Sequence, residues 1–128
     1  MATVAELREA AGFSRVDAGG AGGDGGAGGA GRAGRADDEG RAVESVYCCD
    51  LLSVVMGKAP AGCAWVTVMG NINVVAVAAL VDAACVVVAD GAAIEPRAVE
   101  KAAEQGVVLM RSTLPVFEAA MRAYEAIG

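Results

Sequence analysis

Four small polar groups punctuate an apolar stretch of this 128-residue chain: Asp50; then Gly70, Asn71 and Asn73; then Asp90 and Gly91; then Ser112 and Thr113. Carboxylates, amides and hydroxyls in such a set can hold ribose hydroxyls or, through Mg²⁺, a phosphate. Gly70 would let a ligand approach the backbone closely. The same residue types are also the preferred helix N-caps. Asp50, one of the two asparagines and Thr113 therefore have a structural reading beside the functional one.

Catalytic constellations are scarce. The chain has no histidine, so the common general base and triad partner is missing. The segment "GKAPAG" around Lys58 lacks the upstream glycine and the following Ser or Thr of a phosphate-binding P-loop. Cys48, Cys49, Cys63 and Cys85 show no C-x-x-C spacing, so they read as small buried side chains in a reducing compartment rather than as metal ligands. Met56, Met69, Met110 and Met121 read as core filler. The residues do not say which cofactor, if any, is used, and the chain is expected to be non-catalytic.

The elements that must position the polar groups follow from pattern. Thr3 with Glu6 forms a capping-box signature for a helix over 4–11 that Gly12 closes. Residues 1–17 are expected to hold that helix and a short strand, and residues 18–42 a flexible glycine-rich loop with too little to bury. From residue 43 to 128, short β-type runs alternate with helical segments. Strand starts near 43, 64, 85 and 107 recur at a spacing of about 21 residues, the signature of βαβ units. The fold class expected is α/β: a mainly parallel sheet of about four to five strands with helices on both faces. Ligands of such sheets sit beyond the carboxyl ends of the strands, where all four polar groups fall.

Composition narrows the partners. A formal net charge of −6, with ten scattered Lys and Arg, argues against nucleic acid and anionic lipid. The apolar run from Val74 to Ala89 is interrupted by Asp82, which reads as two elements rather than a membrane span. The first residues, "MATVAELREAAG", carry Glu6 and Glu9 and lack the pattern of a signal peptide. A cytoplasmic location is expected.

The residues "VYCCDLLSVVMGKAPAGCAWVTVMGNINVVAVAALVDAACVVVADG", followed by "AIEPRAVEKAAEQGVVLMRSTLPVFEAAMRAY", resemble a DRTGG domain over Val43 to Tyr124. The resemblance implies a regulatory or ligand-sensing module that binds a nucleotide or another small anionic metabolite. Alternatively it implies an interaction or oligomerisation module, a homodimer or higher homo-oligomer, that accompanies a redox enzyme such as an iron-only hydrogenase. Carried over residue by residue, the family's polar rim falls on Asp50, Ser53, Asn71, Asn73, Asp90, Gly91, Ser112 and Thr113. The segment that gives the family its name corresponds here only to "DDEGR", Asp38 to Arg41 being its last four residues. Phe117, Met121 and Tyr124 form an apolar stripe on the last helix, read either as core or as a docking face.

Overall fold

The computed structural model describes residues 2–17 and 39–128. The expected glycine-rich loop lies outside the described residues as far as residue 38. Its last residues belong to the fold: Ala42 bridges Thr3, and the Arg41 carbonyl accepts from the Val4 N–H at 2.9 Å.

Helix α1 (Val4–Ala11) starts on the expected box. Thr3 Oγ1 accepts from the Glu6 N–H at 3.2 Å, and the Thr3 N–H donates to Glu6 Oε1 at 3.0 Å. Strand β1 (Ser14–Val16) follows. Then come β2 (Ser45–Cys48), α2 (Leu52–Lys58), β3 (Cys63–Thr67), α3 (Ile72–Val81), β4 (Cys85–Val88), α4 (Pro96–Gln105), β5 (Leu109–Arg111) and α5 (Val116–Ala126). Pro96 enters α4 at its first turn, where a missing N–H costs nothing, and Gly106 ends it at φ 74°. The protein is α/β, with one five-stranded sheet in the order β1-β5-β4-β3-β2. Strands β2 to β5 are parallel, and β1 pairs antiparallel with β5.

Strand alternation divides the interior in two. Cys63, Trp65, Val86, Val88 and Leu109 face one layer with Val55 of α2, Val74, Val75, Val77 and Ala78 of α3, and Ala98 and Ala102 of α4. Ala64, Val66, Cys85, Val87 and Met110 face the other, with Val4, Leu7 and Ala11 of α1 and Ala119 and Ala123 of α5. Because β2, β3, β4 and β5 advance across the sheet in one direction, crossovers of one hand place α2, α3 and α4 on the same face. Residues from both ends of the chain cover the other. The apolar run from Val74 to Ala89 resolves into α3, a turn and β4, and among the described residues no helix is long and apolar enough to cross a membrane.

An ionic cluster closes the neck between the two described segments. Glu39 accepts from Arg8 Nη2 at 2.9 Å and also bonds Arg15, whose Nε lies 3.0 Å from Asp17 Oδ1. Partial burial pushes the Glu39 carboxyl up, but the Arg8 and Arg15 bonds outweigh it and hold it below its ordinary 4.5. A carboxylate so depressed stabilises the fold above its unfolded pKa, and the contribution is lost as pH falls through the folded value. Urea midpoints measured from neutral pH downward should therefore decline below pH 4.5, and Glu39→Gln should start lower at neutral pH and lose less across that window.

Candidate functional site

Since β2, β3, β4 and β5 are consecutive and parallel, their carboxyl ends lie along one rim. At a strand spacing of about 4.8 Å, the four exits span roughly 14 Å. The sheet therefore brings the sequence-predicted polar residues to one side, as the βα pattern requires. What each side chain does there differs from residue to residue.

Asp50 does not cap α2, contrary to expectation: Leu51 occupies the N-cap and provides no side-chain bond. The Asp50 carboxylate instead reaches across to β3, where Oδ1 accepts from Thr67 Oγ1 at 2.6 Å and from the Val68 N–H at 3.1 Å. Thr67 is fully buried at the end of an apolar strand, and a buried hydroxyl requires a partner. Trp65 Nε1 adds a bond to the Cys49 carbonyl at 2.9 Å, so the exits of β2 and β3 are bolted together. Thr67 was not among the residues singled out from sequence; a hydroxyl closing the run "CAWVT" was its only signal.

Asn71 is the N-cap of α3, with Oδ1 accepting from the Val74 N–H at 3.0 Å. Asn73, two residues on, is exposed. Capping thus accounts for one asparagine of the pair. Gly70 is not open to a ligand. A Cβ there would lie 2.2 Å from the Ala93 carbonyl oxygen and 2.8 Å from Ile94 Cα, and the Gly70 carbonyl accepts from the Glu95 N–H at 2.8 Å. Its missing side chain makes room for the 93–94 segment leading into α4.

Asp90 and Gly91 both have φ 63°, and the Ala92 N–H donates to the Ala89 carbonyl at 3.1 Å. Two successive left-handed residues closed by that bond make a type I′ turn, for which Asp-Gly is a preferred pair. The turn is fastened to the exit of β5: the Asp90 N–H donates to the Leu114 carbonyl at 2.6 Å, and the Gly91 N–H to the Ser112 carbonyl at 2.9 Å. Ser112 is buried, with Oγ accepting from the Leu114 N–H at 3.1 Å. Thr113 does not cap α5 as expected, because Pro115 holds that position.

Backbone direction explains why the rim is closed where an opening would be expected. Ligand crevices form where neighbouring strands send their connections to opposite faces. Only β4 and β5 do so here, β4 leading to α4 and β5 to α5, and their exits are bridged by the backbone bonds just described. Among the described residues, the sequence-predicted rim side chains left without a bond are those of Ser53, Asn73, Asp90 and Thr113, all exposed.

The remaining thiols are split. Cys63 and Cys85 are buried, and burial raises their pKa values to about 11 and about 12. Cys48 is exposed at the end of β2, yet partial burial of its thiol and the nearby Asp50 carboxylate also push it up. None of these three is an activated thiolate at neutral pH. Among the described residues no group of three or more Cys, Asp or Glu converges to hold a metal ion.

Replacing Asp50 with Ala strands the buried Thr67 hydroxyl and should cost about 2 kcal/mol. Gly70→Ala, driven into backbone, should cost at least about 3 kcal/mol. Asn71→Ala, a lost cap, should cost about 1 kcal/mol. Chemical denaturation of the three variants checks this order.

Compared with family models and with curated proteins, the chain matches none.

Proposed function

We propose that this protein is a non-catalytic regulatory module, of the kind its resemblance to DRTGG domains implies, that acts by docking the outer face of α5 on a protein surface. The observation that carries this reading is the exposure of Phe117, Met121 and Tyr124, at 72%, 43% and 69% respectively. At about 100° per residue, these three fall within roughly 60° of one another on the helix. The helix is held to the sheet by Ala119 and Ala123 on another face. Large side chains facing water while alanines do the packing is the reverse of an ordinary surface helix, and such patches mark interaction sites. The redox enzyme implied by the resemblance is one partner of suitable class, and a further copy of the chain is another.

Phe117→Asp should weaken association with a purified iron-only hydrogenase, or with a second copy, by at least about tenfold, leaving the far-ultraviolet circular dichroism unchanged. Biolayer interferometry measures the first and light scattering the second. Association that ignores this substitution, or its absence with both partners, overturns the reading.

A second reading, sensing of a small anionic metabolite, is favoured by the uncommitted Ser53, Asn73, Asp90 and Thr113 side chains on adjacent exits. Asp50 and Asp90 would repel a bare polyanion, so the ligand would be a nucleotide that brings Mg²⁺ or offers ribose hydroxyls. Adenine nucleotides with saturating Mg²⁺ should then raise Tm by about 4 °C or more at tenfold excess over Kd, and Asn73→Ala should abolish the rise. No shift with any of them removes this reading.

A further inference from the structure

Resting on the docking role of α5, we infer that the partner of this helix is the α5 of a second copy, packed antiparallel about a twofold axis that passes near Ala120 and Met121. A twofold contact sets residue i of one helix opposite residue j of the other, and j opposite i, so it demands a pattern that reads the same from both ends. The stripe has that property. Phe117 and Tyr124 lie equally far from a midpoint between Ala120 and Met121, so the antiparallel copy places each Phe117 against the partner's Tyr124, twice, with the two Met121 side chains between them. Offset or edge-on aromatic pairs and a polarizable thioether suit such a contact.

Charge follows the same midpoint. Glu118 and Arg122 lie on the flank next to the stripe together with Glu125, which the twofold sets opposite the partner's Val116 rather than a charge; the Glu118 and Arg122 pair is centred on Ala120, and neither joins an ion pair among the described residues. The two midpoints agree within half a residue, or about 0.75 Å of helix rise. In an antiparallel twofold contact like flanks meet, so Glu118 faces the partner's Arg122 and Arg122 the partner's Glu118. An unrelated partner would not require the apolar and ionic pairs to share one centre; a second copy does.

Light scattering of the full chain should give twice the chain mass at high micromolar concentration. Glu118→Arg places two cations on that flank beside Glu125, and Arg122→Glu places three anions there. Each should weaken the dimer by about tenfold or more. The reciprocal double variant, and an equimolar mixture of the two single variants, should both recover dimer. That recovery also excludes misfolding as the cause of the single-variant loss. A monomeric wild type overturns the inference, as does a dimer that neither single variant weakens or that neither combination restores. A monomer that still binds the redox enzyme and loses it on Phe117→Asp overturns the inference alone and leaves the docking role standing.

Discussion

Strands β3 and β4 are apolar on both faces and wholly withdrawn from water, so the sheet must be covered twice. Each Val or Trp side chain so buried stabilises the fold by about 1.5 to 3 kcal/mol relative to exposure. One cover is local, because each crossover helix follows the strand it packs on. The other is not: α1 from the start of the chain and α5 from its end must meet over residues such as Val66 and Val87. The second half of the core therefore forms only when distant segments come together, α1 burying Val4 and Leu7 and α5 its alanines Ala119 and Ala123.

The rim obeys the same constraint. A strand that leaves a doubly covered sheet must turn at once, and the groups that enforce each turn become buried or bonded as they do so. Asp50 ties β2 to β3, the Asp90-Gly91 turn ties β4 to β5, and Gly70 accommodates the approach to α4. Polar residues clustered at strand ends are thus consumed largely by architecture. Among the described residues the large apolar side chains left facing water are Leu51, Met56 and Leu80 and, gathered on one helix, Phe117, Met121 and Tyr124 of α5.

Sequence pattern revealed the βα alternation, the Thr3–Glu6 box and a cap at one of the two asparagines because each rests on local pattern; which asparagine caps, Asn71, only the structure decides. Pattern failed at Asp50, whose partner Thr67 is seventeen positions away, and at Gly70, whose constraint comes from Ala93 and Ile94. Cap preferences describe what a carboxylate can do with its own helix, not what a neighbouring strand offers it. Thr113 was misread for a simpler reason: Pro115 itself takes the N-cap, so α5 starts two residues later than a Thr113 cap would place it. The stripe on α5 was legible as a stripe, but whether the sheet covered it depended on which face the alanines chose.

The carboxylate at Glu39 and the guanidinium of Arg15 grip the chain on both sides of residues 18–38, Arg15 reaching Asp17 as well. With the two margins fastened to each other and to α1, the entry into β2 is anchored to the first helix by charge as well as by the Thr3–Ala42 bridge.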